Sequence, residues 1–173
     1  MLDVLMPPTA SPSPSAHAAP AGLPALLANA KAALDAASVC GAGELTPAAS
    51  PTMLTAEALG SGMPAVYRLM WEDGKLWVAL QTKERYLSQS IEADLVHTGD
   101  KLSELIDEEL AELGVSQPIG NVEHFRSQDK LYTFRSVVPV RSVNAEAGQL
   151  AATYVRAYEA AFRNLGDMQA GED

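Results

Sequence analysis

Val66-Tyr-Arg-Leu-Met-Trp-Glu-Asp-Gly-Lys-Leu-Trp-Val-Ala-Leu-Gln81 decides the fold class of this chain. Two runs rich in aromatic and branched residues, Val66 to Trp71 and Lys75 to Gln81, flank Glu72, Asp73 and Gly74. Asp-Gly between such runs predicts a tight hairpin, because glycine accepts the positive backbone angle that the turn demands. Alternation places Tyr67, Leu69 and Trp71 on one face, with Leu76, Val78 and Leu80 on the buried face of the second strand. A mainly antiparallel sheet follows.

Downstream, a third strand is expected from Arg85 to Ile91, using Leu87 and Ile91. Asp100 is expected to cap a helix whose Leu102, Leu105, Ile106, Leu110 and Leu113 form an apolar stripe that Gly114 ends. Val122 to Phe125 and Leu131 to Val140 read as two more strands around a polar turn, Ser127 to Lys130, with Pro139 at a strand end. Asn144 is expected to cap a last helix in which Leu150, Ala151, Tyr154, Val155, Tyr158, Phe162 and Leu165 share one face, stopped by Gly166.

Upstream of the hairpin, Leu23, Leu26, Leu27, Ala30, Leu34 and Ala37 recur at helical steps, with Pro24 in the first turn and Gly41 as a stop. Gly, Pro, Ser and Thr dominate Gly41 to Pro64, where Thr55 to Leu59 is read as one short helical turn. Pro7 to Ala21 is almost entirely Pro, Ser, Ala and Thr, a composition with little to bury against the entropy of ordering it. The expected organisation is a flexible tail over residues 1–21, one α+β domain over 22–166 and a flexible acidic tail over 167–173. Within the domain the order is α-β-β-β-α-β-β-α, with about five strands packed against the helices.

The 173 residues are 47% hydrophobic and 20% charged, a globular balance. A formal charge of -10 opposes binding to polyanions such as a phosphate backbone or anionic lipid. No apolar run reaches the roughly 18 residues of a membrane helix, so no membrane contact is expected. Cys40, the only cysteine, allows neither an internal disulfide nor a cysteine zinc cluster, and a cytoplasmic location fits best.

The residues that could carry chemistry do not assemble into a motif. His17, His97 and His124 show no metal-binding helical spacing, and His97 beside Asp94 and Asp100 has no nucleophile placed by motif. Gly60-Ser61-Gly62 is too short for a nucleophile elbow. Gly41-Ala-Gly43 follows a helix instead of a strand, and no phosphate loop occurs. No enzyme activity, metal or cofactor is therefore expected, and a hydrolase using Ser61 and a histidine is carried only as a remote option.

Charge is concentrated instead. From Glu92 to Glu123 there are nine acidic residues and one lysine, Lys101. Glu104, Asp107, Glu108 and Glu112 form a face whose mutual repulsion a basic partner would relieve. From Arg126 to Arg163 the balance reverses, and Arg126, Lys130, Arg135, Arg141, Arg156 and Arg163 interleave with Tyr132 and Phe134. That pattern makes a direct nucleic-acid-binding regulator the alternative function, although the global charge disfavours it.

The segments Trp71-Glu-Asp-Gly-Lys-Leu-Trp-Val, Leu110-Ala-Glu-Leu-Gly114, Pro118-Ile-Gly-Asn-Val-Glu123 and Leu131-Tyr-Thr-Phe-Arg135 together resemble the YbjN family, which is similar in fold to the type III secretion chaperones. The resemblance runs from about Tyr67 to Gly166 and brings no catalytic residue with it. It implies helices against an antiparallel sheet, a homodimer, and a chaperone-like role in binding a partner protein, associated with regulation or stress response. The expected partner-binding residues are Glu104, Asp107, Glu108 and Glu112 on the acidic helix, with Trp71 and Trp77 in the hairpin.

Overall fold

The computed structural model describes residues 19–45, 53–61 and 63–166. The tail expected over residues 1–21 lies outside them as far as residue 18, and the acidic tail over 167–173 lies outside them entirely. The chain is α+β. Helix α1 (Leu23–Ala37) precedes four strands, β1 (Glu44–Leu45), β2 (Met53–Glu57), β3 (Val66–Glu72) and β4 (Lys75–Thr82). Helices α2 (Arg85–Thr98) and α3 (Leu102–Glu112) follow, then β5 (Glu123–Arg126), β6 (Tyr132–Val137) and α4 (Ala147–Phe162).

The hairpin forms as its residues dictate. Asp73 and Gly74 take positive φ values of 51° and 73°, and Tyr67 faces Leu80 while Leu69 faces Val78. Mirror-image turns of this kind match the twist of the strands they join. The remaining strands complete an antiparallel sheet in the order β1-β2-β3-β4-β6-β5. The crossover through α2 and α3 thus carries the chain to the far edge, and β6 returns to pair with β4.

Three expectations are corrected. Arg85 to Ile91 is the first half of α2, not a strand. Leu87, Ser88 and Ile91 are buried at helical spacing, whereas a strand with Leu87 and Ile91 inward would have pointed polar Gln89, which is exposed, into the core. Thr55 to Leu59 is not a helical turn but mostly belongs to β2, whose Leu54 and Ala56 alternate inward and pair with β3. The sheet consequently has six strands, and the order is α-β-β-β-β-α-α-β-β-α. Asp100 does not cap α3, which starts from Lys101 without a side-chain capping bond. Asn144 caps the turn that leads into α4, its Oδ1 accepting the Ala147 N–H at 3.1 Å, while α4 itself starts from Glu146 without a side-chain capping bond.

The core lies between one face of the sheet and the helices. α4 supplies three of its largest members, Tyr154, Tyr158 and Phe162, all fully buried, beside Tyr67 of β3. Tyr158 stacks on Phe162, which meets Phe134 edge-on, and the Tyr158 hydroxyl lies 2.5 Å from Ser136 Oγ. That bond matters because a buried hydroxyl without a partner is costly. α1 packs beside α4, with Leu23, Leu26, Leu27, Ala30 and Leu34 buried, and α3 packs on α4 through Ile106 and Leu110.

The open sheet face as candidate functional site

The strand register makes the outer face of the sheet readable in rows. The helix contacts and the buried side chains of β2, β3 and β4 define the inner face, and none of the described helices covers the other one. Across it, one row is apolar: Met53, Met70, Trp77 and Val137. The next is Glu44, Thr55, Arg68, Ala79, Arg135 and Glu123. A third holds Glu57, Val66, Gln81, Thr133 and Phe125.

Two arginines therefore flank Ala79, and their surroundings differ. The Arg135 guanidinium sits 4.0 Å from the Trp77 ring centroid and 4.8 Å from that of Phe125. Its Nε donates to Glu123 at 2.8 Å and its Nη1 to Glu72 at 3.0 Å. Burial opposes its charge, but the hydrogen bond to Glu123 and the charge of Glu72 outweigh it and hold Arg135 above the usual arginine range. The stack also helps explain how Trp77, on a face that no described helix covers, is only 6% exposed. Its indole N–H donates to the Glu72 carbonyl at 3.0 Å.

Arg68 has no carboxylate within ion-pair distance among the described residues. Its Nε donates to Thr55 Oγ1 at 3.2 Å and its Nη1 to Gln81 Oε1 at 2.6 Å. Gln81 is itself held, since its Nε2 donates to Thr133 Oγ1 at 3.1 Å, and the Thr133 hydroxyl donates to the Leu131 carbonyl at 3.2 Å. Burial lowers the Arg68 pKa from its ordinary value, with Asp129 acting in the opposite direction from a distance. Arg68 and Gln81 line two adjoining grooves on this face, of about 770 Å³ toward Pro64 and Lys83 and about 480 Å³ toward Met70 and Phe125.

The six residues singled out from the sequence lie in separate places. Glu104, Glu108 and Glu112 are exposed on α3, which packs on α4 away from the sheet. Asp107 is not a free surface charge, because its Oδ1 accepts the Ile119 N–H at 2.6 Å. Trp71 packs against the core on the helix side, with its indole N–H buried and unbonded among the described residues, whereas Trp77 faces outward. Arg68 and Gln81 are what the sequence reading missed, although strict alternation from Tyr67 and Leu69 already assigns Arg68 to the opposite face.

A serine, a histidine and a carboxylate do meet between α2 and β5, but not as a catalytic relay. His124 stacks on Phe134 with 3.8 Å between centroids, and its Nδ1 lies 3.0 Å from the Thr133 carbonyl oxygen. That carbonyl accepts only a proton, so Nδ1 carries one. Its Nε2 faces both Ser88 Oγ at 3.3 Å and Glu92 Oε1 at 2.9 Å. In a triad the carboxylate orients the ring from the nitrogen opposite the nucleophile, whereas here both share one nitrogen and Ser88 is buried. The set reads as a latch joining helix to sheet. Ser61 is not part of this set: its hydroxyl accepts the Met63 N–H at 3.3 Å.

The basic residues between Arg126 and Arg163 are likewise divided. Arg135 is committed to the outer face, Arg163 pairs with Glu159 on α4 at 2.5 Å, and Arg126 lies over the Tyr132 ring at 5.4 Å. No group of three or more metal-ligating side chains converges among the described residues, and no described helix is long and apolar enough to cross a membrane. No family model, curated protein or solved structure matches the chain.

Proposed function

We propose that this chain is a protein-binding module, a chaperone-like adaptor that holds an extended segment of another protein against the outer face of its sheet. The observation that carries the reading is that face itself: six paired strands form an ordered surface with an apolar row beside a polar one, and no described helix lies over it. Backbone-paired strands give such a face little freedom to rearrange, so a segment bound there meets a preorganised surface. The resemblance to the YbjN family, with its implied regulatory or stress-related role, points the same way.

A photo-crosslinking residue placed at Met70 on the outer face, compared with one at exposed Ala36 on α1, tests the reading in growing cells. Met70 is expected to capture a reproducible protein partner that Ala36 does not. Equal capture at both sites, or none at either under several growth and stress conditions, would overturn it.

Homodimerisation, which the resemblance implies, is a separable part of the proposal. α4 turns its aromatic stripe into the chain's own core, so a second copy would have to use another surface, of which the outer face and the sheet edges are candidates. Light scattering over a concentration series is expected to give twice the 18.3 kDa monomer mass. The monomer mass at every micromolar concentration would remove the dimer and leave the adaptor reading standing.

A further inference from the structure

We infer that Arg68 is the recognition residue of the open face and takes the carboxylate of an acidic side chain carried by the bound segment, which rests on the adaptor reading above. The two arginines beside Ala79 make the case by contrast. Arg135 has its charge met by Glu72 and Glu123, whereas among the described residues Arg68 is held only by the neutral oxygens of Thr55 and Gln81. Those bonds engage Nε and one Nη1 proton. The edge formed by Nη2 and the second Nη1 proton has no acceptor among the described residues and belongs to a side chain that lines both grooves.

The hydrogen bonds behind Arg68 give it a fixed aim. Thr133 donates its only hydroxyl proton to the Leu131 carbonyl, so its oxygen is left to accept from the Gln81 amide. Gln81 must then turn its carbonyl toward Arg68. A planar guanidinium so oriented, and half withdrawn from water, is matched by a carboxylate that can take two parallel N–H bonds. Orientation settled before binding removes part of the entropy cost that a free arginine would bear.

The surroundings select the class of anion. Glu44, Glu57 and Glu84 line the larger groove with Lys83, and Glu72 and Asp129 line the smaller one with Arg135, so acidic side chains outnumber basic ones around Arg68 and a polyanion would meet net repulsion. One carboxylate flanked by uncharged residues would not. Val66 and Met70, the neighbours of Arg68 across the rows, offer apolar contact to such flanking residues.

The probe is acetyl-Ser-Val-Thr-Glu-Val-Thr-Ser-amide, titrated into the full chain and followed through the Arg68 Nε–H and Gln81 side-chain amide resonances. Three controls accompany it: the same peptide with Gln for Glu, the Gln peptide with a free C-terminus, and sodium acetate. The Glu peptide is expected to shift both resonances, with the Gln amide at least about tenfold weaker, as loss of a charged hydrogen-bonding partner implies. Arg68→Met, which keeps the aliphatic stem, is expected to abolish the difference between the two peptides. Should Arg68→Met not fold, Arg68→Lys, which keeps the charge but not the fork, is expected to reduce it.

Equal shifts with the Glu and Gln amides would overturn the role of Arg68 while leaving the face as a docking surface. A Gln peptide with a free terminus binding as well as the Glu peptide would reassign the site to chain termini, and acetate matching the Glu peptide would make it a small-anion site. Either result overturns the inference, as does the absence of any shift at millimolar peptide. Resonance changes that follow the chain's own concentration without peptide would give the site to a second copy instead. The crosslinking comparison at Met70 decides the adaptor reading separately from all of these outcomes.

Discussion

Close approach at Gly148 is what lets α4 lie against α1. A β-carbon built there would stand 2.5 Å from the Leu26 carbonyl oxygen and 2.7 Å from Asn29 Cβ, distances that only a shift of one helix could relieve. Gly148→Ala gains at most about 1 kcal/mol of helix propensity but overpacks backbone, and a net loss of about 1–2 kcal/mol is expected. Urea unfolding should show it as a lower midpoint at unchanged slope. Cys40 makes a second residue-scale case. Burial, then the charges of Glu159 and Asp35, push its thiol up to about 11. The thiol in the native chain should therefore resist iodoacetamide at pH 8 and react once the chain is unfolded. The sign of its linkage is equally definite. A free thiol ionises near about 8.5, so above that the unfolded state holds fewer protons and stability falls as pH rises toward 11. Cys40→Ala should flatten that slope between about pH 8 and 9, where unfolded-state tyrosines, which ionise near about 10, are still mostly protonated. An unchanged slope would contradict the assignment.

At the scale of the element, α3 carries two kinds of acidic residue that its sequence does not tell apart. Asp107 accepts the Ile119 N–H and so ties the loop after α3 to the helix, whereas Glu104, Glu108 and Glu112 are exposed. Asp107→Ala is expected to lose about 1–2 kcal/mol, because it removes a charged acceptor from a partly buried amide. The triple change Glu104→Gln, Glu108→Gln and Glu112→Gln should stay within about 0.5 kcal/mol per site, as surface substitutions usually do. Thermal unfolding of the two variants side by side checks the distinction, and equal losses would refute it. α2 shows how an element is misread. Leu87 and Ile91 are four apart, a spacing that both a strand and a helix satisfy, and only the intervening Gln89 tells them apart. The helix wins because Leu87, Ser88 and Ile91 can all be buried at once while Gln89 faces out.

For the molecule as a whole, the insertion of β6 between β4 and β5 sets a gradient of protection. β3, β4 and β6 are each paired on both sides, and α4 covers the core against β3 and β4. β1 and β5 are edges, and β1 has only two residues. Amide exchange is expected to be slowest in β4 and its two neighbours and fastest in β1 and β5, since edges open without breaking the core. Exchange in β5 as slow as in β4 would mean that another surface covers that edge in solution. If the partner segment lies on the open face instead, binding should slow β3 and β4 without closing β5.

What the sequence by itself determined is local. The Asp73-Gly74 turn, the register of the hairpin it closes and the apolar stripes of α1, α3 and α4 follow from short-range rules that the tertiary structure had no reason to override. Tertiary structure decided the rest. β2 is a strand because β3 offers its edge to Leu54 and Ala56, a pairing that no pattern within Met53 to Glu57 declares. The partner-binding residues expected from charge and aromaticity fall on three surfaces, because Trp71 and Trp77 belong to strands whose alternation sends them to opposite sides of the sheet. Arg68, Gln81 and Thr133 come from three strands and meet only once β6 has crossed over to β4, since side-chain chemistry built across a sheet depends on which strands become neighbours.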